Sequence, residues 1–294
     1  MSTLVLALEG NEVLAERIGG LIQAPVGRVR SRRFPDGETY LRVEPDCSGQ
    51  RVLLACTLAH PDDKVLPLVF VADAARAMGA VRVGLVAPYL AYMRQDRQFQ
   101  AGEAVTSRTI GGLLSKYVDW LVTVDPHLHR YHSLAEIYTV PCRVVHAAPA
   151  LAAWIAAHVD RPVLVGPDEE SEQWVSIVAA LAQAPYLVLR KVRHGDRVVD
   201  VSAPDIAAHR DRTPVVVDDI VSTAGTMIET VRALLRARLS APVCVAVHAL
   251  FAGGADAALR AAGAARVVTT TSVPHATNAI DVVPLLAEAI RELE

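Results

Sequence analysis

Val215-Val-Val-Asp-Asp-Ile-Val-Ser-Thr-Ala-Gly-Thr-Met227 is the stretch on which the reading of this chain turns. Three consecutive valines form the β-branched apolar run of a strand buried on both faces. The run ends in adjacent carboxylates, Asp218 and Asp219, followed by small and hydroxyl-bearing residues: Ser222, Thr223, Ala224, Gly225 and Thr226. A helical pattern over Thr226–Arg238 begins there. Strand, loop and helix in this order put the loop at the carboxyl end of a parallel strand, where open α/β sheets bind ligands. Small residues let backbone N–H groups close around an anion, and a helix N-terminus adds a favourable field. The acids are wrong for phosphate but suit sugar hydroxyls or a hydrated magnesium ion. The segment therefore points to a phosphorylated sugar, with its diol at the acids and its phosphate at the loop. The plainer alternative is a capped helix after a strand, with incidental acids.

Outward from this segment, short β-rich runs alternate with helical patterns. Thr3–Leu8, Val52–Ala55, Val81–Ala87 and Leu121–Val124 read as strands in the first half. Val163–Val165, Leu187–Leu189, Val215–Val217, Val243–Val247 and Val267–Thr270 do so in the second. Helical patterns occupy Val65–Met78, Thr106–Lys116, Ala147–His158, Glu170–Leu181 and Thr226–Arg238. This alternation predicts an α/β fold with parallel sheets covered by helices. The strand–helix–strand unit that starts at Val52 can be laid over the one that starts at Val215, an offset of 163 residues. Two pseudo-symmetric domains, 1–146 and 147–294, are the expectation, although any two such units look alike by periodicity.

Composition narrows the function. The 29 basic residues nearly balance 32 acidic ones, for a formal charge of -3, which disfavours binding to nucleic acid. Apolar runs are too short to span a bilayer, and Met1-Ser2-Thr3-Leu4 lacks the basic start of a secretory signal. Cys47, Cys56, Cys142 and Cys244 are far apart and form no CxxC pair, the pattern of reduced thiols in a cytoplasmic protein. Lysine occurs only at Lys64, Lys116 and Lys191, which makes each one worth weighing.

Four more segments carry polar chemistry. Arg33-Phe-Pro-Asp-Gly-Glu38 contains a Pro-Asp-Gly turn signal and reads by itself as a hairpin. Pro88-Tyr-Leu-Ala-Tyr-Met-Arg-Gln-Asp-Arg97 follows a strand; its arginines suit phosphate oxygens, and a solvated charged loop is the plainer reading. Val124-Asp-Pro-His127 ends another strand, and His127, His129 and His132 leave a transition-metal cluster as a minor alternative. Val165-Gly-Pro-Asp168 and Leu189-Arg-Lys-Val-Arg193 end two strands of the second half, the latter running into the hairpin signal His194-Gly-Asp196. An exposed basic hairpin is the bland account of that pair.

The Val215–Met227 segment resembles the phosphoribosyl-diphosphate loop of type I phosphoribosyltransferases and of ribose-phosphate diphosphokinases. The other four segments resemble motifs of the diphosphokinases, and the likeness covers nearly the whole chain, including Pro274-His-Ala-Thr-Asn278. The resemblance implies two type I phosphoribosyltransferase-like domains and transfer of the β,γ-diphosphoryl group of ATP to the C1 hydroxyl of ribose 5-phosphate. It implies an ATP site from Phe34, Asp36, Glu38, Arg94, Gln95, Asp96, Arg97 and His127. It implies a ribose 5-phosphate site from Asp218, Asp219 and Ser222 to Thr226, Mg2+ near His127 and Asp168, and catalytic Lys191 and Arg193. A homo-oligomer, dimer or larger, is implied as well. The chain departs from the family pattern at Glu169-Glu-Ser-Glu172, where many relatives carry glycines and an arginine. Ser222 stands where many relatives have Asp, as in archaeal-type members. The alternatives are a catalytically weak, synthetase-like regulatory subunit and a phosphoribosyltransferase. Walker A and dinucleotide glycine motifs are absent from the sequence.

Overall fold

The computed structural model describes residues 2–194, 198–202 and 206–294, with backbone alone at residues 170, 190–194, 198–202 and 207. It divides into two compact units, residues 1–145 with 283–294, and residues 146–282.

In chain order the first unit runs β1 (Thr3–Ala7), α1 (Glu12–Ile22), β2 (Val26–Gly27), β3 (Val29–Arg33), β4 (Thr39–Val43), β5 (Arg51–Ala55) and α2 (Asp62–Ala77). It continues with β6 (Arg82–Val86), α3 (Thr106–Tyr117), β7 (Trp120–Val124) and β8 (Cys142–Val145). The second unit holds α4 (Ala148–His158), β9 (Pro162–Gly166), α5 (Glu172–Leu181), β10 (Tyr186–Val188), β11 (Arg190–His194), β12 (Val198–Ser202) and β13 (Thr213–Val221). After these come α6 (Gly225–Arg236), β14 (Val243–Ala249), α7 (Ala255–Ala261), β15 (Arg266–Thr270) and β16 (Asn278–Ile280). The chain ends in α8 (Val283–Leu293).

Each unit has one six-stranded sheet, ordered β2-β1-β5-β6-β7-β8 and β10-β9-β13-β14-β15-β16, and every pairing within them is parallel. The orders correspond strand for strand. In both, an antiparallel hairpin (β3–β4 or β11–β12) is inserted after the second strand. The order also reverses at the same place, between β1 and β5 and between β9 and β13. Such a reversal opens a ligand crevice beyond the carboxyl ends of its two strands. The sequence repeat is therefore a repeat of topology.

The apolar runs are buried because both sheet faces are covered: Val215, Val216 and Val217 are inaccessible, as are Leu53, Leu54 and Ala55. The sequence reading had no helix at α1 or α8. Helix α8 also departs from the expected division into 1–146 and 147–294, because it packs on α1, β7 and β8 of the first unit. Its buried stripe, Val283, Leu286, Ala287 and Ile290, follows helical spacing. Arg51 donates to the Glu294 carbonyl oxygen at 2.7 Å, Arg82 to that of Leu293 at 2.6 Å, and Arg291 to that of Leu21 at 2.7 Å. Among the described residues, no helix is long and apolar enough to cross a membrane.

Gly84 in β6 faces Trp120 in β7 across the ladder, and a Cβ on it would lie 2.1 Å from the indole ring. The Trp120 ring, almost wholly buried, has taken the place of a side chain there. Gly84→Ala is therefore expected to cost about 1–3 kcal/mol by overpacking. Thermal unfolding followed by circular dichroism should show Tm lowered by roughly 2–4 °C per kcal/mol; an unchanged Tm would contradict this packing.

Candidate active site

Strand β13 runs two residues past its pair of acids, so Asp218 and Asp219 stand on a hydrogen-bonded strand rather than on a free loop. Ala224 then turns the chain at φ +60°, a left-handed conformation, and α6 begins at Gly225. The first turn of a helix leaves N–H groups without intrahelical acceptors, and these are the donors an anion would meet. Gly225 itself is helical, and a Cβ added there would meet only Thr223 Oγ1, at 4.0 Å. Packing among the described residues does not demand glycine at this position, which leaves the space beside it open for a ligand.

The electrostatics of the acids are unfavourable by construction. Burial is the largest influence on Asp218 and raises its pKa well above the ordinary 3.8; the Asp219 charge pushes the same way, and that of Asp168 adds to it. The Asp219 N–H donates to Asp218 Oδ1 at 3.0 Å and offsets part of the rise. Asp168 thus adds to the repulsion between Asp218 and Asp219, and among the described residues no basic side chain is among the forces on Asp218. Adjacent acids of this kind suit sugar hydroxyls, whose donated hydrogen bonds relieve the repulsion.

Asp168 has a second task. Its Oδ1 accepts the Ser171 N–H at 3.2 Å, and Ser171 Oγ donates to the Asp168 carbonyl at 2.6 Å, capping the turn that leads into α5. Gly166 lets this turn close, since a Cβ there would lie 2.6 Å from Ser171 Oγ. Glu169 lies in the capped turn and Glu172 in the first turn of α5, where a helix field favours acids. Lys191 and Arg193 lie on β11, paired with Val201 and Val199 of β12. Their side chains, and Gly195 and Asp196 of the expected hairpin turn, lie outside the described residues.

In the first unit the segments expected to meet a nucleotide follow β3, β6 and β7. Phe34–Glu38 is the turn of the β3–β4 hairpin, closed by the Phe34 N–H on the Glu38 carbonyl at 2.8 Å and by Gly37 at φ +94°. Phe34 is 37% exposed, with Tyr40 edge-on at 6.3 Å and the Arg32 guanidinium over its ring at 4.4 Å. The turn at 88–97 crosses the ends of β5 and β7 through Leu58 N–H on the Tyr89 carbonyl and Val124 N–H on that of Pro88. Arg94 and Arg97 are exposed, and Arg97 lies over the Phe99 ring at 4.7 Å. Gln95 accepts from the Thr106 hydroxyl at 3.4 Å.

Asp96 is only 5% exposed, and both its oxygens accept from Arg130 Nη1, at 2.8 and 3.0 Å. Its part is to join the Arg94–Arg97 turn to the loop that carries His127. Arg130 and the adjacent Tyr131, whose hydroxyl donates to the Asp96 carbonyl at 3.1 Å, are the residues sequence reading missed. The only hint was that Arg130 is a cation close after a strand-end histidine. The His127 and His129 rings are 5.5 Å apart, but among the described residues no three His, Cys, Asp or Glu side chains converge as a metal cluster. Tyr92, at φ +64°, donates to the Asp62 carboxylate, and Arg33 pairs with Asp63 at 2.6 Å, so the start of α2 ties the hairpin to the 88–97 turn.

Residues 3–117 match the family model described as the N-terminal domain of ribose phosphate pyrophosphokinase, and residues 136–286 match the phosphoribosyl transferase domain. A ribose-phosphate pyrophosphokinase of Methanopyrus kandleri is 33% identical over 292 residues, covering 99% of each chain. One from Methanothermobacter thermautotrophicus is 30% identical over 98% of this chain and 100% of its own. A crystal structure of phosphoribosylpyrophosphate synthetase from Mycobacterium smegmatis shares the fold, with TM-score 0.87 and 22% identity over 100% of this chain and 99% of that one.

The raised Asp218 pKa has a consequence for stability. Below 3.8 the acid is protonated in both folded and unfolded chains and its environment costs nothing. As pH rises toward the folded-state value, the unfolded chain releases the proton first and the folded state becomes relatively less stable. Asp218→Asn should therefore raise Tm by a few degrees at neutral pH, with the gain shrinking to nothing as pH falls toward 3.8. Scanning calorimetry across that range would show it; a loss of Tm at neutral pH would refute the sign.

Proposed function

We infer that this chain, which belongs to the ribose-phosphate pyrophosphokinase family, makes phosphoribosyl diphosphate and AMP from ATP and ribose 5-phosphate. The observation that carries the reading is the strand end at Asp218–Asp219 with an open glycine six residues later, on a family match that spans both units. The ribose C1 hydroxyl attacks the β-phosphorus of ATP in line, the β-phosphorus–oxygen bond to AMP breaks, and the β,γ-diphosphoryl group passes to the sugar. Little covalent help is needed, so positioning and charge neutralisation dominate.

The N–H groups and hydroxyls of Ser222–Thr226 take the 5-phosphate, and Asp218 and Asp219 accept from the ribose hydroxyls. Phe34 stacks on adenine, and Asp36 and Glu38 accept from its polar edge. Arg94, Gln95 and Arg97 meet the nucleotide directly, while Asp96 serves by anchoring their turn to the His127 loop through Arg130. Lys191 and Arg193 neutralise charge that develops in the transfer. We assign Mg2+ on the chemistry of the ATP phosphates, with His127 in the first unit and Asp168 in the second, each within its own unit, as residues that would meet a metal. When bound it supplies charge neutralisation of the ATP phosphates. We place the enzyme in the cytoplasm.

Purified protein with Mg2+, ATP and ribose 5-phosphate should form AMP and the sugar diphosphate in equal amounts; ATP hydrolysis independent of the sugar would overturn the reading. Gly225→Ala gives a sharper check, because the added Cβ has room within the chain but none beside a bound phosphate. It should leave Tm unchanged while raising the KM for ribose 5-phosphate at least about tenfold. An unaltered KM would remove the phosphate from this loop.

We also propose a homodimer or larger assembly in which Phe34, Asp36 and Glu38 act on the nucleotide of a neighbouring subunit. The exposed Phe34 on a hairpin turn supports this arrangement. A chain with Phe34→Ala and Glu38→Ala, mixed with a chain with Lys191→Ala, should recover up to roughly a quarter of wild-type activity under random pairing. Verified mixed oligomers with no recovery would refute sharing.

A further inference from the structure

Pro274-His-Ala-Thr-Asn278, between β15 and β16, has no part in the chemistry above, yet contacts lead from it to the sugar-phosphate loop. The Val221 carbonyl accepts the N–H groups of Leu250 and Phe251, each at 3.0 Å, and the Ser222 carbonyl accepts that of Ala252 at 3.1 Å. The segment just beyond β14 thereby fixes the entry to the loop. Phe251 sits at φ +22° and ψ 72°, which a non-glycine residue adopts only where its surroundings over-determine it.

His275 shares that constraint with the apolar core, against which Phe251 also packs. The Phe251 and His275 ring centroids are 4.6 Å apart, tilted by 47°. The imidazole is itself held, with Nδ1 2.8 Å from Thr277 Oγ1 and its backbone N–H donating to Asn278 Oδ1 at 2.9 Å. Asn278 Nδ2 donates to Thr269 Oγ1 at 2.9 Å and to the Thr270 carbonyl at 2.6 Å, and the Thr277 and Thr269 hydroxyls meet at 2.8 Å. The brace is thus anchored in buried side chains of β15.

We propose that His275 is a positioning residue which, through the ring of Phe251, holds the entry of the Ser222–Thr226 loop in the conformation that receives the sugar phosphate. This rests on the reading of that loop as the ribose 5-phosphate site. Without the imidazole, Phe251 relaxes from its strained φ and the three N–H donors shift. The loop must then be ordered by its ligand, which lowers affinity for the sugar phosphate and not for the nucleotide.

The experiment compares wild type, His275→Ala, His275→Phe and Phe251→Ala by steady-state kinetics with each substrate varied, and by calorimetric titration of ribose 5-phosphate into the full-length protein. His275→Ala should raise the KM and Kd for ribose 5-phosphate roughly tenfold while leaving kcat and the KM for ATP within about twofold. His275→Phe keeps a flat ring against Phe251 and should restore most of the affinity. Phe251→Ala deletes the ring but keeps a Cβ that disfavours this φ, so it should reproduce the defect even if His275→Ala folds poorly. Unchanged ribose 5-phosphate affinity in the folded variants, an equal rise for ATP, or His275→Phe as weak as His275→Ala would each overturn the proposal. A wild type that binds ribose 5-phosphate but forms no AMP would instead overturn the assigned activity, and the binding arm would still decide the role of His275.

Discussion

Parallel pairing is the constraint from which the rest follows. When every strand of a sheet runs the same way, each carboxyl end lies on the same edge, and each following loop opens there. In the second unit this brings Asp168 after β9 and Asp218 with Asp219 on β13 to neighbouring strand ends, although 50 residues of chain separate Asp168 from Asp218. In the first unit it brings the Arg94–Arg97 turn after β6 beside the His127 loop after β7, close enough for Asp96 to bind Arg130.

A strand end that collects acids works against stability. Asp218 is half-buried beside two other carboxylates, and a protein selected only for stability would place a neutral side chain there. Strain at Ala224 and Phe251 belongs to the same pattern: left-handed backbone without glycine, each next to the loop that meets the ligand. The surrounding ladder of β13, β14 and β15 offsets these costs with fully buried apolar side chains.

The two units show one topology put to two uses. Each inserts a hairpin after its second strand, but the turn of β3–β4 presents an aromatic ring, whereas β11–β12 carries Lys191 and Arg193. At the third strand the second unit ends in two acids and an open loop. The first unit has Thr57 at the corresponding place, its carbonyl already taken by Lys64 Nζ at 2.9 Å and its N–H by Asn11 at 2.8 Å. In the first unit these bonds tie the end of β5 to the starts of α1 and α2.

Much of this was legible in the sequence, because period and punctuation are local. The valine runs announced β5, β6, β7, β13 and β14, and the small residues after Asp219 announced a loop. The reading missed α1, α7 and α8, whose apolar stripes are short and mixed with charge, and the edge strands β2, β8 and β16, too brief to show alternation. Only tertiary structure could give α8 to the first unit, since that choice depends on which sheet face lacks a cover. The same holds inside the site. The sequence offers Asp96 and Arg97 as equal candidates for a nucleotide; burial commits Asp96 to Arg130 and leaves Arg97 exposed. It offers Gly225 as one more loop glycine, and only the room for a Cβ there among the described residues shows that packing does not require it. Residue type and spacing determined which chemistry is possible; long-range packing decided which side chains are free to perform it, because a side chain's partners lie across the sheet and not along the chain.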